Sequence, residues 1–142
     1  MVKNMILSRF RTEPYPWESG ERKIRGGPLY SKEELLALIA ELGADGINHW
    51  TQKCMRDIQA LNLDKYDVWD LVRHALNTGN YLDSEWCARH QNGPWAACDA
   101  YQFMRREWFP GLHKHMDCEY FLKLVISKTG ALLLLISLHP SR

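Results

Sequence analysis

The sequence predicts an α+β domain: a small twisted antiparallel sheet with N-terminal helices packed on one face. Three observations carry this expectation. Apolar residues recur at helical spacing in three stretches within 31–76, and residues alternate with a period of two in 97–103 and again in 118–127. Ala131–Leu138 (ALLLLISL) is then apolar throughout. The first pattern is that of amphipathic helices, the second of half-buried strands, and the third of a strand covered on both faces.

Residues 1–30 are punctuated by Pro14, Pro16, Gly20, Gly26, Gly27 and Pro28, with a basic run at Arg22-Lys23-Ile24-Arg25. They read as an irregular basic arm, and 31–142 as one α+β domain. Ser31 is an N-cap with Glu34 placed for a capping box. Leu35, Leu36, Leu38, Ile39 and Leu42 form the stripe of that helix, and Gly43 ends it. A second helix over 51–61 places Met55, Ile58 and Leu61 about one turn apart, and a third runs from Asp67 to Leu76. Asn80–Pro94 reads as a connection. From Trp95 to Phe109, Ala97, Asp99, Tyr101 and Phe103 share one strand face, and Cys98, Ala100 and Gln102 share the other. Gly111–Lys114 is a turn. In Cys118–Ser127, Cys118, Tyr120, Leu122, Leu124 and Ile126 point one way and Glu119, Phe121, Lys123, Val125 and Ser127 the other. Lys128-Thr129-Gly130 closes a hairpin, the glycine supplying a positive φ. Pro140 is expected to stop the last strand.

At 142 residues the chain makes one core without staples. The longest apolar run is too short for a membrane helix, and the first residues lack the long apolar region of a signal peptide. Four cysteines fall short of a disulfide scaffold, which points to the reducing cytoplasm. The net charge of +1 is unevenly distributed. Residues 1–26 carry six Lys/Arg against three Asp/Glu, 27–86 carry five against ten, and 87–142 carry seven against four plus four of the six histidines. Basic ends on a near-neutral chain can hold a polyanion locally.

No phosphate loop, nucleophile elbow or HExxH is present in the sequence. One candidate site is a zinc quartet, Cys87 and His90 (C-x2-H) with His115 and Cys118 (H-x2-C). The other uses no metal or cofactor: His90, Tyr101, Arg105, Arg106, His113, Lys114, His115, Tyr120, Lys123 and His139. RNA cleavage without metal needs a base for the 2′-hydroxyl, an acid for the leaving 5′-oxygen and cations for the phosphorane. These residue types fill those roles, and the aromatics can stack bases.

These residues lead to a family. Leu61-Asn62-Leu63-Asp64, the helix at Asp67–Leu76, Cys98-Asp99-Ala100-Tyr101, Phe121-Leu122-Lys123-Leu124 and Leu133–Leu138 match, in order, motifs of the motility quorum-sensing regulator (MqsR) toxins, and the stretch from Leu61 to His139 resembles that family. The resemblance implies a RelE-like toxin fold and a ribosome-independent messenger-RNA interferase. The partner it implies is a cognate antitoxin protein, and no membrane is involved. The sequence departs from the pattern at the family's active-site positions. Asp83, Cys98, Phe121 and His139 stand where the family has lysine, glutamine, tyrosine and lysine. The expected activity is therefore an endoribonuclease with a rearranged, metal-independent site. His139, His90, His113, Lys123 and Tyr120 would serve catalysis, and Arg105, Arg106, Tyr101 and Lys114 would bind substrate. The alternative is a non-catalytic RNA- or protein-binding member of the same fold from a mobile element.

Overall fold

The computed structural model describes residues 4–141. Four helices and six strands follow one another as α1 (Pro16–Ser19), β1 (Lys23–Ile24), α2 (Lys32–Leu42), β2 (Ile47–His49), α3 (Gln52–Ala60), α4 (Lys65–Thr78), β3 (Asn80–Ala88), β4 (Trp95–Phe109), β5 (Lys114–Ile126) and β6 (Leu133–Pro140). The strands form one sheet in the order β1-β3-β4-β5-β6-β2. The α+β class stands, but the sheet is mixed. β2 pairs in parallel with β6, whereas every other neighbour is antiparallel. The three residues of β2 are too few to show a period of two, so the parallel edge left no trace in the sequence pattern.

The helices start where their caps put them. The Ser31 hydroxyl accepts from the Glu34 N–H at 3.1 Å. The reciprocal half of that capping box is missing, because the Glu34 carboxylate takes Arg9 instead, at 2.5 Å. Asp64 and Asp67 form a complete box at the start of α4. Thr51 caps α3, whose buried residues are Cys54 and Ile58. Met55, expected in the stripe, is 40% exposed.

β3 is the larger departure from the expected pattern, since it occupies most of Asn80–Pro94, where the sequence predicts a connection. A bulge between Tyr81 and Asp83 inserts Leu82 into the strand. The insertion breaks the alternation that marks a strand. Beyond it the period of two resumes, with Ser84 and Trp86 buried at 1% and 2% exposure, and Asp83 and Glu85 directed to the other face. β5 begins at Lys114, earlier than its apolar alternation shows, and β6 runs on through Pro140, which pairs with Tyr120.

One sheet face is covered. It carries Ala97, Asp99, Tyr101 and Phe103 of β4, the partners Tyr120, Leu122 and Leu124 of β5, and Ser84 and Trp86 of β3. Helices α2 and α4 lie on that side. The Tyr30 hydroxyl donates to the Ala97 carbonyl at 2.6 Å, and the His74 ring packs edge-on to Phe103 at 5.9 Å.

The segment before α2 is strapped to the sheet. Trp95 N–H donates to the Met5 carbonyl at 2.8 Å, Leu7 N–H to the Trp95 carbonyl at 2.9 Å, and β1 pairs with β3. Its central anchor is Asp99. That fully buried carboxylate accepts from the Leu29 N–H at 3.0 Å, the Tyr30 N–H at 3.1 Å and the Ser84 hydroxyl at 2.6 Å. Burial pushes its pKa above the ordinary carboxylate value, while the three donors pull it down. Gly27 lies just before this anchor. A Cβ there would overlap the hydroxyls of Tyr81 and Ser84, so the chain can enter only with glycine.

Asp99→Ala strands two backbone N–H groups in the interior. It is expected to cost about 2–4 kcal/mol, read as a lower urea midpoint at unchanged slope. A midpoint like that of the unsubstituted protein would show that the strap holds without the carboxylate.

Candidate functional site

The opposite face of β3–β6 is buried at Ala96, Cys98 and Val125 but opens around Lys123. In the register of β5, Lys123 is flanked by Ala100 on β4 and Ser137 on β6. Directly paired residues in antiparallel strands share a face. Two short side chains beside a long one therefore leave a depression with the ammonium at its centre. A second bulge, in β6 opposite Lys123 and Leu124, adds Ile136 to the cleft wall. The Thr51 hydroxyl donates to the Ile136 carbonyl at 2.7 Å, and the Thr51 oxygen caps α3 by accepting from the Cys54 N–H at 3.0 Å. The irregularity in β6 thus docks the start of α3 against the cleft.

The resulting cavity has a volume of about 510 Å³. It runs from Lys123 and His139 on the sheet, past Gln52, Lys53 and Arg56 of α3, to Arg89 and His90 after β3 and to Arg22 of the arm. Arg22, Lys53, Arg56, Arg89 and Lys123 line it together with two histidines, against a single carboxylate, Glu85. A smaller cavity of about 250 Å³ lies on the same face and shares Glu85, Lys123, Ser137 and His139, adding Lys23, Asp83 and Phe121.

Several of these groups are held in place. Lys123 is ion-paired with Glu85, and Lys23 with Asp83. Hydrogen bonding to Asp83 raises the Lys23 pKa, working against a smaller effect of burial. Arg89 donates from Nε to the Trp50 carbonyl at 2.9 Å and lies over the Trp50 ring at 5.8 Å. His139 Nδ1 is 3.1 Å from the Pro140 carbonyl. A carbonyl only accepts, so Nδ1 carries the proton and Nε2 is the basic nitrogen of the neutral ring.

The sequence-predicted residues divide into three groups. His139, Lys123 and His90 meet in the larger cavity. Arg105, Arg106, His113 and Lys114 do not join them. They lie where β4 and β5 run on beyond their other partners, since β3 ends opposite Gln102 and β6 opposite Tyr120. On that ribbon Arg105 pairs with Glu107 at 3.4 Å, Arg106 with Asp117 at 3.6 Å, and His113 sits in the turn near Trp108. Tyr101 and Tyr120 are on the covered face, each 2% exposed. Burial above all pushes both phenols up to about 12, and a hydrogen bond to Glu107 adds to it for Tyr120.

The zinc quartet does not converge. Cys87 is disulfide-bonded to Cys98, and His115 and Cys118 are on the ribbon. No group of three or more His, Cys, Asp or Glu is arranged to hold a metal among the described residues. The disulfide lies on the open face, joining β3 to β4 with the two Cα atoms 6.6 Å apart.

Lys53, Arg56, Arg89, Arg22 and Glu85 were not singled out from the sequence. Lys53 and Arg56 are three apart on α3, a spacing that puts both on one helix face and was there to be read. Arg22 and Arg89 come into the cleft only through long-range pairing. No family model, no curated protein and no solved structure matches this chain.

The cysteines provide a direct check. Cys118 is half-buried, whereas Cys54 is buried with its thiol pushed up to about 12 by that burial. Alkylation of the native protein should therefore label Cys118 well ahead of Cys54, and Cys87 and Cys98 only after reductant, as read by peptide mass mapping. Rapid labelling of four thiols without reductant would contradict the assigned pair.

Proposed function

We propose that the Lys123–His139 cleft binds single-stranded RNA and cleaves it by a metal-independent route. The observation that carries the reading is the lining of the cavity: five Lys/Arg and two His against one carboxylate, on a protein whose net charge is only +1. Such a concentration of positive charge in a concave site favours a polyanion.

The chemistry follows from the placements. His139 Nε2 takes the proton of a 2′-hydroxyl. The 2′-oxygen attacks the adjacent phosphorus, and the bond to the 5′-oxygen breaks. That oxygen takes its proton from His90 in its imidazolium form. The products are a 2′,3′-cyclic phosphate and a free 5′-hydroxyl, so atoms and charge balance. Lys123 faces the charge that builds on the phosphorane, and Lys53 and Arg56 take neighbouring phosphates. The ribbon cations and the two buried tyrosines have no part in this site.

The resemblance to MqsR toxins supports the same face. Asp83, Cys98, Phe121 and His139 stand at that family's active-site positions, and all four belong to the open side of the sheet. Lys23, paired with Asp83, brings a cation back to a position where the family has one. On this reading the protein is an interferase of RelE-like fold that an antitoxin holds silent. Binding without cleavage is the second reading. It is favoured by Cys98, whose sulfur is committed to Cys87.

Purified protein is expected to cut RNA in EDTA, leaving cyclic-phosphate ends. Lys123→Met and His139→Ala should each slow cleavage by about 100-fold or more. Arg56→Gln should weaken binding and lower the salt slope by about one. RNA that stays intact at enzyme excess while binding persists selects the second reading. Absence of any binding at low salt removes both.

A further inference from the structure

A second, smaller cavity of about 290 Å³ lies beyond the cationic cleft, lined by Asn4, Trp17, Gln91, Asn92 and Trp95. Two indoles and three carboxamides make an unusual lining for a surface depression. The three amide side chains make no hydrogen bond among the described residues, so their donors and acceptors remain available. Each part has a structural reason to be there. Trp95 is pinned at the start of β4 by its backbone bonds to Met5 and Leu7, and this also brings Asn4 alongside. Trp17 projects from α1, with one ring face stacked on Tyr15 at 5.0 Å. Gln91 and Asn92 follow directly on His90, which lines the cleft.

Arg22 links the two linings. This residue lines the cleft, and its guanidinium lies 5.2 Å from the centre of the Trp95 ring, which lines the smaller cavity. Arg22 is itself fixed, because its carbonyl accepts from the Trp86 N–H at 2.7 Å on β3. A cation for a phosphate is therefore set beside an aromatic plane and a ring of amide groups. This is the combination that recognises one unstacked nucleotide: stacking for the ring, amide hydrogen bonds for the base edge, and charge for the phosphodiester.

We propose that the Trp17–Trp95 cavity is a nucleobase subsite, holding a base of the single strand whose backbone crosses the cleft at Arg22. The proposal rests on the reading of the cleft as an RNA site, and it adds base contact to a surface otherwise limited to the backbone. A neutral sugar could use the same indoles and amides, but it would have no use for Arg22.

The test separates the subsite from the cleft. The probe is a short fluorescent oligoribonucleotide of mixed sequence with every 2′-hydroxyl methylated, so that it binds without being cut. A companion set lacks one base at a time. Anisotropy titrations with the native protein should show a loss of about tenfold at one abasic position and little elsewhere. Trp17→Ala and Asn92→Ala should each weaken binding to the intact probe, and removal of that same base should then cost much less, because variant and missing base delete one interaction. Asn92 lies on an exposed turn, so its variant keeps the test independent of any loosening of the arm. A flat abasic scan with tight binding overturns the subsite and leaves the cleft standing. Loss of all binding at low salt overturns both. Binding of the smaller cavity to free oligosaccharide, unaffected by Arg22→Gln, assigns it to another ligand and overturns the subsite.

Discussion

The buried carboxylate of Asp99 is the constraint on which the site depends. It sits at the middle of β4 on the covered face, and the residues on either side of it, Cys98 and Ala100, point to the open face. Its three hydrogen bonds join the arm at Leu29 and Tyr30, strand β3 at Ser84, and strand β4 itself. Ser84 in turn stands back to back with Asp83 and Glu85, the two carboxylates that β3 turns to the Lys123 side. One interior charge therefore fixes the register of the cleft wall from behind. An ionised carboxylate without partners would cost several kcal/mol in that setting, and three donors are what make the arrangement tolerable. Residues 22 and 23 of the arm are aligned with β3 by their own backbone pairing, and Asp99 secures the chain a few residues downstream of them.

Charge and packing are sorted across the two faces by the same alternation. On β5, Tyr120, Leu122 and Leu124 are at most 2% exposed, while Lys123 between them opens to the cleft. Depth comes from deletion rather than from any dedicated loop: Ala100 and Ser137 are short where their neighbours are long. The two irregularities of the sheet then set the walls. The bulge at Leu82 restores Asp83 and Glu85 to the open side, and the bulge at Ile136 supplies the carbonyl that seats Thr51 and α3. Bulges of this kind near a concave surface re-aim side chains at small cost in pairing.

What could be read from the sequence follows from which signals are local. The cap at Ser31, the stripe of α2, the alternation of β4 and β5 and the apolar run of β6 each lie within about a dozen residues, and the elements formed as their patterns indicate. β3 looks like a connection in the sequence because a single extra residue, Leu82, shifts the parity of an otherwise regular strand. β2 is three residues long and has a pattern only in the context of β6. At the site, Lys123, His139 and His90 could be named from residue type and strand order, and they do share one cavity. Tyr101, Tyr120 and the ribbon residues were equally plausible by type. Face parity separates the tyrosines from the cleft. The premature end of β3 and β6 separates Arg105, Arg106, His113 and Lys114. Neither the length of a strand's neighbours nor the pairing of Cys87 with Cys98 is encoded in a short window.

The ion pair between Lys123 and Glu85 bears on how such a site works. With its side chain about one-third exposed and Glu85 less so, the pair is partly screened, and its net worth is of the order of 1 kcal/mol. An arriving phosphate does not have to break it. Glu85 is directly opposite Cys98, on the far side of Ala100's strand from β6, so an anion can approach the ammonium from the Ser137 and His139 side while the carboxylate stays bound. A carboxylate that orients an ammonium without consuming its three donors keeps it pointed into the cleft. It also lowers the field of a cluster of cations that would otherwise repel one another, which is what allows five of them to line one cavity in a chain with almost no net charge. The single acidic residue of the cleft thus offsets part of the repulsion among the basic ones.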